Sequence, residues 1–466
     1  MSARLFDDPA VDRRFGRMQW RMLFATMIGY TLFYFMRKNF SFAMPGLQQD
    51  CGISKSMLGN FLFLGGIVYG LSKFLNGVVG DRVDPRKMLC TGLLACVVVN
   101  IAFGFAPQIA AIFGCESSRA AAGADGVAEL AWTFGVLFVL NQFFQGTGFP
   151  PCAKLIAFWV PPKELATKMS VWNTSHSIGG GLVAKICGAI MGIGAIGAAN
   201  QGVGMWRWCF WAMAALGFLG LVLMLFWLPG TPEDEGLPNL PGTDGGPKSR
   251  ADDSSASAEC RGASGENVGT AMKMVFLSPV IWMLGLVNFT INAVRALVAD
   301  WGPTMLQEAK GFGPGETGTV VMLFEFAGIA GMLFAGWATD RFFGGRAPRL
   351  CTFLMLATAG LLAAFWVLPA GIAGATALCL AGFCLYGPQA LTGVTAANHS
   401  TKRFAGTSIG FISLFSYVGV SVAGKVCGSL AQSSGGWRLP LVVMAVVAVA
   451  GSALFACLWR IRADNY

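Results

Sequence analysis

The chain has 466 residues, 55% of them hydrophobic and only 12% charged, with 37 Phe, 14 Trp and 62 Gly. Soluble proteins carry about 25% charged residues, so this composition excludes a disordered chain and argues against a soluble enzyme. The formal net charge of +9 is read first as membrane orientation bias, and nucleic acid is not expected as a partner.

Apolar stretches recur from Met22 to Ile461, the pattern of a polytopic membrane protein. The first twenty residues hold Arg4, Arg13, Arg14 and Arg17 without an apolar core before Met22. The first span is therefore expected to insert and stay rather than to be cleaved. About 20 apolar residues are needed to cross roughly 30 Å of hydrocarbon. Twelve segments qualify, at 22–45, 57–80, 88–107, 131–156, 168–193, 206–228, 277–303, 317–339, 350–368, 371–397, 405–430 and 437–461.

Placing the N-terminus inside gathers Arg13, Arg14, Arg82, Arg86, Lys87, Arg341, Arg346 and Lys402, among others, in inside segments. The outside loops hold Lys55, Arg119 and Lys310, with Arg207 and Arg438 at helix ends. This is the positive-inside pattern, so both termini are expected in the cytoplasm and the chain in the cytoplasmic (inner) membrane. Loop 107–130 is long, with an Ala/Gly-rich middle. Residues 229–273 are rich in Gly, Pro, Ser and Asp and read as a disordered cytoplasmic linker. They divide the chain into an N-terminal bundle at 1–228 and a C-terminal bundle at 274–466. The thirteen Cys are scattered, without a C-x-x-C pair or a Cys/His cluster, so no metal site is expected and reduced core cysteines are.

The two halves echo each other. Asp81-Arg82 follows the second span and Asp340-Arg341 the eighth; Trp206-Arg207 and Trp437-Arg438 open the sixth and twelfth; Lys185-Ile186-Cys187-Gly188 and Lys425-Val426-Cys427-Gly428 lie in the fifth and eleventh. Two parallel six-helix repeats are the plan of the major facilitator fold, where substrate binds near the midplane between the repeats. The expected fold is all-α: twelve transmembrane helices in two pseudo-symmetric six-helix bundles.

Charged groups inside a membrane are expensive and point to function. The spans contain Arg37, Lys38, Lys73, Lys154, Lys185, Arg295, Lys425 and His176, against Glu325 deep in a span and Asp300 near the outer end of the seventh. Such a cationic excess calls for an anionic substrate in a wet central cavity. Arg37 and Arg295 fall at corresponding depths in spans one and seven, and paired guanidinium forks suit a phosphate dianion. The alternative is that each arginine pairs within its own bundle. Helical spacing adds lining candidates: Tyr30, Tyr34, Arg37 and Ser41; Tyr69, Lys73 and Asn76; Asn173, His176 and Ser177; Asn288, Asn292 and Arg295; Ser413, Tyr417, Ser421 and Lys425. For any one stripe, helix–helix hydrogen bonding is the competing explanation. Lys73 could instead snorkel to the cytoplasm, Lys38 must point away from Arg37, and Glu325 could partner a cavity cation or carry a proton. Asp81, Arg82, Asp340 and Arg341, at cytoplasmic helix ends, are candidate gating residues that latch helices as the halves rock.

Several of these segments resemble one family. Tyr34-Phe35-Met36-Arg37-Lys38-Asn39-Phe40 is similar to the first-helix motif of the organophosphate:phosphate antiporter family, and Tyr69-Gly70-Leu71-Ser72-Lys73-Phe74 with Gly80-Asp81-Arg82 to its second helix. Pro150-Pro151-Cys152-Ala153-Lys154, Trp172-Asn173-Thr174-Ser175-His176 with Gly179-Gly180-Gly181, Arg295 with Asp300-Trp301-Gly302-Pro303-Thr304, Tyr386-Gly387-Pro388-Gln389 and Ala405-Gly406-Thr407 extend the likeness over nearly the whole chain. The resemblance implies exchange of a phosphorylated small metabolite, of sugar-phosphate or glycerol 3-phosphate type, for inorganic phosphate. It places the paired phosphate-binding arginines at Arg37 and Arg295, with Lys73 and His176 in support. Tyr34, Tyr69, Asn292 and Lys425 complete the expected substrate-binding set. Hexose-phosphate transporters of the family pair an acid with a lysine in the eleventh helix. Here Lys425 stands without an Asp or Glu between residues 405 and 430.

Two readings follow. The first is an antiporter working by alternating access. The second is a transport-like receptor for external hexose phosphate that signals to a membrane sensor kinase. A proton-coupled symporter using Glu325 or His176 is disfavoured by the scarcity of acids. No nucleophile–base pair is visible, so no enzyme activity, catalytic residue or cofactor is expected, and the protein is expected to be a monomer in the lipid bilayer.

Overall fold

The computed structural model describes residues 6, 8–80, 82–112, 124–196, 204–240, 277–399 and 405–460. The N-terminal half contains α1 (Pro9–Cys51), α2 (Lys55–Gly80), α3 (Pro85–Gly104), α4 (Ala106–Ile112), α5 (Ala124–Gln145), α6 (Phe149–Trp159), α7 (Pro162–Ile196) and α8 (Trp206–Trp227). The C-terminal half contains α9 (Pro279–Ala299), α10 (Gly302–Lys310), α11 (Pro314–Phe342), α12 (Ala347–Val367), α13 (Ile372–His399), α14 (Ala405–Ser433) and α15 (Arg438–Cys457). Among the described residues, eleven helical segments are long and apolar enough to cross a membrane. Helix α1 is the twelfth long helix, 43 residues, its hydropathy lowered by charged residues that include Arg37-Lys38.

Two boundaries differ instructively from the hydropathy expectation. Helix α1 starts at Pro9, well before residue 22, because Asp8 caps it through Ala10 N (2.8 Å) and because Phe15 and Gln19 of its early turns are buried in the bundle. Phe15 packs on Trp159 at 5.1 Å between ring centroids, and Gln19 Nε2 donates to the Trp159 carbonyl at 2.6 Å. The fourth span, expected as one helix over 131–156, breaks between α5 and α6 at Gly146–Gly148. Pro150 and Pro151 cannot supply the amide donors that a continuous helix needs there.

The disorder expected from residue 229 does not hold over residues 229–240. Residues 229–240 form a strap with a 3₁₀ turn at Glu233–Glu235. Trp159 Nε1 donates to Gly230 O (2.8 Å), Arg14 Nη2 donates to Glu235 O (3.0 Å), and Leu237 and Leu240 are buried. Apolar Leu side chains in a Gly/Pro-rich run are what let these residues pack. Residues 241–273 of that segment lie outside the described residues, as do residues 113–123 of the loop 107–130.

The halves meet through α2 against α14, α7 against α11, and α1 against α10. The first two contacts are backbone-close because glycine faces glycine. A Cβ on Gly318 of α11 would lie 2.4 Å from the Ala184 carbonyl oxygen of α7, and one on Gly188 would lie 2.8 Å from Gly318 Cα. On the other seam, a Cβ on Gly59 would lie 3.1 Å from the Gly424 carbonyl oxygen. These contacts occupy the part of the molecule away from the termini. Nearer the termini, a Cβ added at Gly77, Gly336 or Gly410 meets nothing within 4 Å.

Candidate functional site

A cavity of about 350 Å³ lies between the halves. Helix α1 supplies Tyr30, Tyr34, Arg37 and Lys38, α2 supplies Tyr69 and Lys73, and α7 supplies Asn173 and His176. From the other half come Asn288, Asn292 and Arg295 of α9, Gln389 of α13, and Ser413, Ser416 and Tyr417 of α14. Helix α7 reaches both neighbours through its glycine run: Gly179 lies against Tyr34 and Thr31 of α1, and Gly180 against the Glu325 carboxylate of α11.

Four cations line the cavity, and their partners divide them into two classes. Lys38 pairs with Asp300 across the halves. Arg295 pairs with the buried Glu325 of its own half, Nη2 lying 3.3 Å from Oε1, while its Nε donates to the Tyr386 hydroxyl at 2.7 Å. Tyr386 in turn donates to Glu325 Oε2, so guanidinium, phenol and carboxylate form a closed triangle. Arg37 and Lys73 have no acidic partner among the described residues. Arg37 lies 4.0 Å from the Tyr69 ring centroid and 5.5 Å from that of Tyr34. Lys73 donates to the Tyr417 hydroxyl across the halves at 2.7 Å and sits 4.0 Å from the Phe149 ring centroid. Aromatic faces attract a cation through the ring quadrupole but leave its charge uncompensated. With Asp300 and Glu325 ionised, the four cations leave two positive charges over.

His176 is buried, and its Nδ1 lies against the Asn173 carbonyl. A carbonyl only accepts, so Nδ1 carries a proton, and in the neutral ring Nε2 is then the acceptor. Nε2 is buried and has no partner among the described residues. The ring lies 6.5 Å from that of Tyr386, nearly parallel, and 5.9 Å from that of Tyr34.

The expected substrate-binding set is thus mostly gathered in one place: Tyr34, Arg37, Tyr69, Lys73, His176, Asn292 and Arg295 all line the cavity. Lys73 does not snorkel. Lys425 is not brought to it; its side chain is exposed on the seam, with Nζ 5.3 Å from the Phe63 ring centroid of α2. Its repeat partner Lys185 is likewise exposed and donates across the other seam to Thr319 Oγ1 (2.8 Å). Lys154 serves structure, its ammonium donating to Gly80 O at the end of α2 (2.6 Å). Of the candidate gating residues, Asp81 lies outside the described residues. Arg82, Asp340 and Arg341 are exposed, without an ion pair to another described residue.

Tyr386, Glu325 and Asp300 were absent from the expected binding set. A compositional signal marks Tyr386: the chain has six tyrosines against 37 phenylalanines, and five of the six stand at this site.

The family model of the Major Facilitator Superfamily matches residues 26–424. The chain belongs to the major facilitator superfamily. Among curated relatives of this major facilitator protein, the glycerol-3-phosphate transporter of Bacillus subtilis (strain 168) is 30% identical over 97% of this chain and 95% of its own length. The membrane sensor protein UhpC of Salmonella typhimurium is 34% identical over 90% of this chain and 86% of its own. Among solved structures, a bacterial homolog of the human lysosomal transporter Spinster, in an inward-facing and occupied conformation, superposes with a TM-score of 0.71 at 15% identity, covering 95% of this chain and 97% of that one. The all-α, multi-pass membrane architecture of two helical bundles is therefore that of the superfamily.

Proposed function

We propose that this chain is a secondary transporter that exchanges a phosphorylated small metabolite for inorganic phosphate by alternating access. The observation that carries the reading is the surplus of two positive charges in the cavity, with cations drawn from both halves. A phosphate dianion neutralises that surplus, and its oxygens match guanidinium and ammonium donors. Arg37 and Lys73 hold it from the N-terminal half. Arg295 holds it from the C-terminal half, oriented by Tyr386 and Glu325. His176 accepts a hydroxyl from the ligand, or donates once protonated.

Bridging both halves, the bound anion supplies attraction that an empty site lacks. The empty site leaves like charges facing one another in a low-dielectric cavity, which disfavours closure. Obligatory exchange follows: only a loaded carrier reorients. Similarity to a glycerol-3-phosphate transporter supports an organic phosphate as one of the two exchanged anions. Both termini are assigned to the cytoplasm on the lysine and arginine distribution, and Asp81, Arg82, Asp340 and Arg341 are assigned to re-forming latches on that side.

A second reading, a membrane receptor that closes on an organic phosphate and signals to a kinase, is favoured by the 34% identity to a membrane sensor protein and by the missing acid near Lys425. Counterflow separates the two. Proteoliposomes loaded with phosphate and given labelled phosphate outside should exchange rapidly, and Arg37→Ala should abolish exchange while inserting normally. Saturable binding without exchange would replace the transporter with the receptor. Normal exchange by the variant would defeat the assignment of the site.

A further inference from the structure

On the lipid-facing surface of the N-terminal half, α3 and α8 enclose an apolar groove of about 380 Å³ that shares no lining residue with the central cavity. Val97 and Ile101 of α3 and Phe105 just beyond it form one wall, and Trp211, Ala215 and Phe218 of α8 form the other. Gly104 makes this shape possible. A Cβ there would fall 1.9 Å from Trp211 Nε1, so only glycine lets the indole rest against α3 and donate to the Ile101 carbonyl (3.3 Å). Ile101, Phe105, Ala215 and Phe218 are exposed, and in a chain that spans a bilayer such a groove opens to hydrocarbon.

One end of the groove is charged. Arg207 stands one turn before Trp211, and residues 207, 211, 215 and 218 form a single stripe along α8. Gln108 of α4, in the amide orientation that satisfies both neighbours, donates to Phe105 O (3.2 Å) and accepts from Arg207 Nη1 (2.9 Å). The guanidinium is thereby fastened to the rim, with its Cζ 5.4 Å from the Trp206 ring centroid. It forms no ion pair among the described residues, and Asp50, at the same end of the bundle, accepts from Gly204 N (2.6 Å) instead. Arg207 Nε is buried with no partner among the described residues, so the cation is held in place but neither neutralised nor fully hydrogen-bonded. Trp211 packs 5.0 Å from Phe105 and 5.4 Å from the exposed Trp208. Exposed tryptophans gather where hydrocarbon meets headgroups, which sets Arg207 at headgroup depth.

The stripe from Arg207 to Phe218 rises roughly 16 Å, close to half of the ~30 Å hydrocarbon thickness. That is the reach of one lipid in one leaflet; a partner's transmembrane helix would need a face running the full thickness. We propose that α3 and α8 form a site for an anionic phospholipid: one acyl chain lies in the groove against Trp211 and Phe218, and the phosphate diester accepts from the Arg207 guanidinium. A zwitterionic lipid carries an ammonium beside the same phosphate, which offsets part of the attraction to Arg207, whereas a glycerol headgroup leaves the negative charge intact. Both helices belong to the N-terminal half, so the site does not depend on how the two halves meet.

The test is native mass spectrometry of the delipidated full-length protein, titrated with phosphatidylglycerol or phosphatidylcholine of the same acyl chains. Phosphatidylglycerol should bind about fivefold more tightly. In Arg207→Gln that preference should shrink to about twofold or less, while Arg438→Gln, which removes the repeat-related arginine, should keep it. Ala215→Trp, which fills the groove, should weaken binding of both lipids. Thermal unfolding verifies the fold of each variant. Photocrosslinking needs no variant: phosphatidylglycerol with a diazirine in its acyl chain should label residues 97–105 and 211–218 of the wild type above the exposed Val442 and Val446 face of α15, and unlabelled phosphatidylglycerol should compete. Equal binding of the two lipids, or a preference that survives Arg207→Gln, overturns the proposal. If Arg207→Gln misfolds, the crosslink decides, and labelling no greater at the groove than on α15 overturns it. Displacement of the labelled lipid by inorganic phosphate also overturns it, leaving a free-anion site at Arg207.

Discussion

Lys38 of the N-terminal half pairs with Asp300 of the C-terminal half, although its neighbour Arg37 has no acid to meet among the described residues. Adjacent residues on a helix point about 100° apart, so two consecutive cations can serve opposite ends: one is neutralised to tie the halves together, and the other stays available. Asp300 is only 6% exposed, and removing one member of a buried pair strands the other. Lys38→Ala should destabilise the protein by about 3 kcal/mol, and Lys38→Ala/Asp300→Ala by at least about 1 kcal/mol less. Unfolding in detergent followed by tryptophan fluorescence measures both; a double variant as weak as the sum of its singles would remove the pairing from the account.

Glu325 pairs with Arg295, so on the proposed reading it would compete with a bound phosphate for that guanidinium. Glu325→Gln keeps the shape and removes the negative charge, so phosphate affinity should rise about tenfold, roughly 1.4 kcal/mol, while turnover falls because release slows. Titration calorimetry and counterflow on one preparation read the two effects. Weaker binding would mean that the carboxylate's main task is to aim the guanidinium.

Tyr386→Phe removes the hydroxyl that joins Arg295 to Glu325. The expected loss is about 1 kcal/mol of stability, near the worth of one hydrogen bond, together with a severalfold weaker grip on phosphate. Melting temperature and phosphate affinity, compared in the same buffer, check it.

The surplus of two positive charges sets a pH dependence through the ligand. A phosphate monoester loses its second proton near pH 6, so the dianion fraction falls about tenfold from pH 7 to pH 5. If the dianion is the bound species, apparent affinity should fall by about that factor over the same interval. A flat profile would mean that the monoanion binds as well, with the retained proton donated to His176 Nε2.

Gly318→Ala should prise apart α7 and α11, because its methyl group would fall 2.4 Å from the Ala184 carbonyl oxygen. In a Thr319→Cys background, where the native side chain meets Lys185 across this seam, labelling by a membrane-impermeant maleimide should then be faster than with Gly318 intact. Unchanged labelling would show that the seam absorbs the methyl group by a local shift.

Much of this architecture was readable from residue order. Hydropathy and the repeated Asp-Arg, Trp-Arg and Lys-x-Cys-Gly pairs located the two bundles, because a span needs length and apolarity and nothing finer. The cavity residues were readable because charges are rare in apolar helices, and helical periodicity then gathered their neighbours. What stayed hidden was pairing. That Lys38 would meet Asp300 and Arg295 would meet Glu325 depends on how α1, α9 and α11 face one another, which no local pattern encodes. Lys425 looked like its cavity neighbours Ser413 and Tyr417 on a helical wheel. Yet twelve residues accumulate enough angular drift to turn it outward, onto a stripe with Leu414 and Val418 that is exposed. The strap at 229–240 was obscured because two buried leucines do not register in a composition otherwise typical of disorder.

The glycine seams carry a mechanical consequence. Contacts made by dispersion between closely opposed backbones lose a quarter to a half of their attraction over a gap of about 0.5–1 Å. A carrier held shut by long ion pairs would yield by degrees. At Gly188–Gly318 and Gly59–Gly424 the contact behaves more like a snap fastener, engaged or released over that short distance, while the ion pairs that also cross the halves, Lys38–Asp300 and Lys55–Glu308, yield more gradually.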